Sequence, residues 1–135
     1  MRSFLLALLL AFAVASPSQA PAQDDERVLG TRVVTGTFLG WERGDYLWAR
    51  LQVGRRRLTA MPGDEPIGPF LEARRARPLR LWIATVRVTL PEAGAVEIER
   101  IVRVRDDLVT ADQWWNRLSP GYRRAWTRRY HEAIQ

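Results

Sequence analysis

The chain has no cysteine, no lysine and one histidine, His131. Without cysteine there is no disulfide, thiolate nucleophile, iron–sulfur cluster, cysteine zinc site or cysteine-linked lipid. A histidine-built metal site needs more than one imidazole. His131 stands four residues from the C-terminus on a surface-type helical stretch, where histidine serves as a solvated, dipole-facing cation. No Gly-x-Ser-x-Gly turn presents a nucleophile. Asp24-Asp25-Glu26 and Asp106-Asp107 lack the oxygen spacing of a calcium loop. Glu97 and Glu99 share a strand face, as an acid–base pair would. With Arg103 and Arg105 they read instead as a solvated outer face of mixed charge. The expectation is a protein with no catalytic residues, no cofactor and no metal.

The missing lysine leaves all 21 basic residues as arginine, with a net charge of +6. A GC-rich genome produces that bias without any functional demand. The alternative is retention of guanidinium groups to grip carboxylates, phosphates or sulfates in paired hydrogen bonds.

What is present begins with an export signal. Arg2 precedes an apolar run of 11 residues from Phe4 to Val14, followed by Ala, Ser, Pro and Gln. The run falls well short of the ~20 residues that span a bilayer. Ala20-Pro21-Ala22 fits signal cleavage after Ala22, giving a chain that starts at Gln23. Ala13-Val14-Ala15 offers a second cut after Ala15. The expected protein is exported, periplasmic or secreted. Loss of Arg2 leaves 20 arginines against 15 acids, a net charge of +5. About 110 residues remain, enough for one core.

Residues 23–31 read as a flexible leader and residues 32–107 as strands. Arg32 to Trp41 is β-branched and aromatic, with Gly36 and Gly40 at bends or bulges. Glu42 to Asp45 forms a turn. From Tyr46 to Val53 the pattern alternates: Leu47, Ala49, Leu51 and Val53 face one side, Tyr46, Trp48, Arg50 and Gln52 the other. A turn at Gly54 leads into Arg56–Met61. Pro62 to Pro66 breaks the sheet, and Pro69 to about Arg75 suits a short helix. Leu79–Leu90 is a long strand with Trp82, Ala84, Val86, Val88 and Leu90 on one face. Pro91–Gly94 turns it into Val96–Val104, where a phase switch near Arg100 and Ile101 suggests a bulge. Three strands, a short helix and a hairpin make the fold mainly β, with the connectivity of a five-stranded OB-like barrel. An SH3-like barrel is the alternative.

Residues 108–135 form a C-terminal helical segment expected to pack on the barrel. Thr110 to Gln113 has capping-box spacing before Trp114, Trp115 and Leu118. Ser119-Pro120 restarts the helix, and Tyr122, Trp126 and Tyr130 recur every four residues, flanked by Arg123, Arg124, Arg128 and Arg129. This stripe suits docking on the protein's own core or lying on a membrane surface.

Gly36-Thr-Phe-Leu-Gly-Trp-Glu-Arg-Gly-Asp-Tyr46, followed by Thr89-Leu-Pro-Glu-Ala-Gly94, resembles a pattern in small exported bacterial OB-fold-type proteins of unassigned function. The resemblance spans roughly residues 30–105. It implies a barrel and an envelope location, and no activity.

The candidate ligand residues are Tyr46, Trp48 and Arg50 on the outer face of the second strand, with Arg55 and Arg57 near them across the Gly54 turn. Strands two and three carry ligands in OB-folds. Aromatics among guanidinium groups suit stacking on sugars or bases with charge pairing to an anion. Two arrangements fit: the face binds a ligand, or the C-terminal helices cover it. If it is open, the expected function is an exported binding module for an envelope protein partner or an anionic glycan. The alternative is a nucleic-acid or other polyanion binder.

Overall fold

The computed structural model describes residues 26–135. The expected export segment, its cleavage points at Ala15 and Ala22, and the start of the expected leader lie outside the described residues. Five strands, β1 (Arg27–Arg43), β2 (Leu47–Val53), β3 (Arg56–Pro62), β4 (Pro78–Leu90) and β5 (Gly94–Arg105), form most of this region. Three helices accompany them among the described residues: α1 (Ile67–Ala73), α2 (Ala111–Arg117) and α3 (Pro120–Ala133).

The strands close into a ring in the order β1-β2-β3-β5-β4. Neighbours run antiparallel except β3 and β5, which pair in parallel through Met61 opposite Arg100 and Pro62 opposite Ile101. Strand β1 serves two partners: residues 37–43 pair with β2 and residues 27–37 with β4. Residues 27–31, expected in a flexible leader, are therefore part of the sheet. Strand β4 is long enough to offer them an edge. A bulge between Val28 and Gly30 then breaks the alternation that would have marked the strand.

Inward-facing side chains fill the ring. Phe38, Ala49, Leu51, Ala60, Leu79, Leu81, Ile83, Ile101 and Val104 are buried, with Phe70 and Leu71 of α1 against them. The alternation expected in β2 holds: Ala49 and Leu51 point in, and Arg50 is exposed. Helix α1 starts at Ile67, two residues before the expected Pro69. Proline is tolerated there because first-turn amides have no partner within a helix.

In β4 the core face is the one opposite to the apolar run singled out above. Leu79, Leu81 and Ile83 enter the core, while Trp82 lies outside beneath the Arg103 guanidinium, 4.8 Å from its ring. The bulge in β5 falls at Val102, between the pairs Trp82–Arg103 and Ile83–Ile101, just past the expected position. Ala84 and Val86 are nevertheless buried. Beyond the ring, β4, β5 and the start of β1 continue as a three-stranded arm, with Val28, Val86 and Ile98 in one cross-strand row.

The tail docks on α1. Thr110 and Gln113 form the expected reciprocal cap, at 3.0 and 3.1 Å, and Ser119 caps α3 ahead of Pro120. Val109 and Ala111 join the core. A chain of rings follows: Phe70 to Trp114 at 5.6 Å, Trp114 to Trp126 at 5.9 Å, and Tyr130 to Trp41 at 5.2 Å. The Tyr130 ring fills the space that a Cβ at Gly68 would need, so the helix contact depends on that glycine. Tyr122, the first residue of the stripe, is 66% exposed.

Asp106 fastens the hinge into the tail. Its carboxylate accepts the amides of Leu108 and Val109, each at 2.8 Å, and Nε of Arg74 at 2.9 Å. Burial pushes this carboxyl upward, but the Val109 amide, Arg74 and the Leu108 amide outweigh it and hold it at about 2. The Arg74 guanidinium also lies over the rings of Phe70 and Trp114. No helix among the described residues is long and apolar enough to cross a membrane.

Candidate functional site

The pairing register sets out the outer face of β2. Trp48 lies opposite Glu42 of β1, Arg50 between Gly40 and Thr59, and Gln52 between Thr37 and Arg57. Cross-strand partners share a face, so Arg50, Thr59 and Arg57 form one wall. They line a depression of about 420 Å³ with Leu39, Glu42 and Leu58.

Tyr46 precedes β2 and is 44% exposed. It stands apart from that depression, facing the β4–β5 hairpin across two clefts. The first, about 480 Å³, lies between Asp45–Tyr46 and the hairpin tip at residues 90–93. The second, about 180 Å³, is mostly apolar and runs past Met61, Val88, Leu90 and Ile98 to Arg100. There Glu26 accepts two hydrogen bonds from Arg100, at 2.9 and 3.1 Å. That pairing lowers the Glu26 carboxyl and raises the Arg100 guanidinium from their ordinary values.

The five candidate residues thus divide. Arg50 and Arg57 share a depression, and Tyr46 guards the neighbouring clefts. Trp48 is half-buried and lines neither, and Arg55 projects from the β2–β3 turn. The tail takes a different surface. Its contacts run to α1, to β5, to Trp41 and to Arg43, whose Nη1 donates to the Ile134 carbonyl at 3.2 Å. Among the described residues no hydrogen bond or ring contact joins the tail to Tyr46 or Trp48.

Sequence spacing missed one side chain that the fold brings beside this face, Arg75. It follows α1, 25 positions from Arg50, so no strand or helix periodicity relates the two. The fold brings them together at Gly40, which sits just past a bulge with φ of +152°. Nη2 of Arg50 and Nη1 of Arg75 lie 3.0 and 3.1 Å from where a Cβ at this position would stand. The only hint in the sequence is the glycine itself, which serves equally as a bending residue.

The other polar residues singled out in the sequence lie away from this face. Glu97 pairs with Arg87 at 3.2 Å, and Glu99 accepts from Thr85 at 3.1 Å. Arg103 covers Trp82, and Arg105 donates to the Asp106 carbonyl; the bulge at Val102 puts these two out of phase with Glu97 and Glu99, so the expected outer face of mixed charge is not one shared face. His131 lines an open groove of about 840 Å³ with Glu65, Trp115, Arg124 and Arg128. Among the described residues no three acidic or histidine side chains converge as metal ligands would. The chain matches no protein-family model, no curated protein and no solved structure.

Proposed function

We propose that this protein is an exported, non-catalytic binding module of the OB type that takes an anionic glycan. The glycan lies across the outer face of β2 and β3 and between the 43–46 and 90–94 loops. One observation carries the reading: the tail docks on α1 and leaves Tyr46, Arg50 and Arg57 uncovered. The ring order, with β3 parallel to β5 and a helix between β3 and β4, supports the OB assignment. In that fold the same strands and the two corresponding loops hold ligands. Export is supported by Arg2, the Phe4–Val14 run and the small residues up to Ala22.

Tyr46 offers a ring face for a sugar, and Arg50 and Arg57 offer paired donors for its acidic groups. Arg55, at the turn tip, extends the positive surface. The test is a titration of the chain from Gln23 with a polyuronate, a neutral glucan and single-stranded DNA. Polyuronate should bind best, and a folded Tyr46→Ala, Trp48→Ala double variant should lose at least tenfold in affinity. Full binding by that variant, or equal binding of the neutral glucan, overturns the reading. A preference for DNA would make the ligand a nucleic acid. An envelope protein captured by the wild type and lost with Trp48→Ala would make it a protein.

A further inference from the structure

We propose that two copies of this chain pair antiparallel along the open edge of β1, residues 27–35, joining their arms into one sheet across a two-fold axis at Thr31. The inference stands apart from the glycan reading. Strand β1 gives residues 27–37 to β4 on one side, but β2 meets its other side only from Thr37 onward. Among the described residues nothing pairs with that second edge over 27–35, and all of these residues but Val34 are exposed. Such an edge presents a row of backbone N–H and C=O groups that a second extended strand satisfies. Chains that keep an edge unpaired shorten it or place proline or free charge on it. Residues 27–35 hold no proline, and Arg32 leans back toward its own sheet, 3.9 Å from Glu99.

A second copy fits because Arg27-Val-Leu-Gly-Thr-Arg-Val-Val-Thr35 complements itself when reversed about Thr31. That register sets Leu29 opposite the partner's Val33, and Val33 opposite the partner's Leu29. Both are apolar and open to solvent in one chain, at 42% and 53% exposure, and cross-strand partners share a face. Val28 falls opposite Val34, and Arg27 opposite Thr35. Arg32 meets Gly30, which has open space around it. An axis at Arg32 would set that arginine against itself, and one between Leu29 and Gly30 would set it against Arg27, so like charges oppose both. Trp82 stands beside Val33 in the arm and extends the apolar band away from the axis. Pairing about a two-fold closes on itself and stops at two chains.

Sedimentation equilibrium of the chain from Gln23, from low-micromolar to millimolar protein, should show the mass rising from one chain to two and no further. Over the same range hydrogen exchange should slow at alternate amides of residues 27–35, those turned away from β4. Leu29→Arg, with an unchanged thermal transition in circular dichroism, should weaken the dimer at least tenfold. The double variant Leu29→Arg, Val33→Glu should recover it, because each introduced guanidinium then faces a carboxylate across the axis. A single-chain mass throughout overturns the proposal, as does a dimer whose 27–35 amides exchange as fast as in the monomer. A mass that grows past two chains also overturns it, and points to β1 pairing with the β5 edge at residues 94–99 instead. Loss in Leu29→Arg without recovery in the double variant overturns the Thr31 register.

Discussion

Two regions of this protein are built from the same materials and use them in opposite ways. At the α1 end, Phe38, Trp41, Phe70, Trp114, Trp126 and Tyr130 each meet another ring, and Arg74 and Arg75 lie over Phe70, Trp114 and Phe38. On the β2–β3 face Arg50 and Arg57, and beside it Tyr46, have no such partners among the described residues. Aromatic and arginine content alone therefore says nothing about function. What separates cohesion from recognition is whether the chain supplies the complement.

The largest test of that contrast removes residues 108–135. Val109 and Ala111 leave the core with them, and Phe70 loses its cover, so the cooperative thermal transition in circular dichroism should disappear. A retained sharp transition would show that the tail is ornament and erase the distinction. Next, Trp114→Ala should cost about 3 kcal/mol in urea unfolding, through lost burial and an unfilled cavity.

Asp106→Asn should cost less, ~2 kcal/mol at neutral pH. The folded carboxyl sits at about 2 against an ordinary 3.8, so its stabilisation is complete above pH 4 and lost as pH falls toward 2. Wild type and variant should thus differ in urea at pH 6 and converge near pH 2. Smallest of all, Tyr46→Ala should change stability by less than ~0.5 kcal/mol. The same variant should lose polyuronate affinity. A stability loss comparable to that of Trp114→Ala would place Tyr46 with the cohesive group.

Local features are legible in the sequence where one element alone determines them. The β2 alternation, the Thr110–Gln113 cap and the Ser119-Pro120 restart all involve neighbours in the chain. The core face of β4 is not legible this way, because both of its faces are apolar: one enters the ring and the other lies in the arm. The start of the first strand, residues 27–31, is hidden for a related reason, since its pairing partners lie more than fifty residues away. The tail's docking surface depends on Gly68 and Trp41, neither of which marks itself as a contact. Arg50, Arg55 and Arg57 stand out in the sequence, but Arg75 reaches Gly40 only through the route of α1.

The parallel pairing of β3 with β5 has a kinetic consequence. Ring closure rests on two residue pairs, one of which includes Pro62, a residue without an amide to donate. The adjacent Gly63 amide, bonded to the Ile101 carbonyl at 3.0 Å, carries part of the seam. Strand β1 belongs to two antiparallel units, one with β2 and β3 and one with β4 and β5, and each unit holds itself together along long ladders. The seam is therefore expected to join last during folding and to part first in the native state. Hydrogen exchange at Gly63 should run through this local opening, well ahead of the amides in the middle of β4.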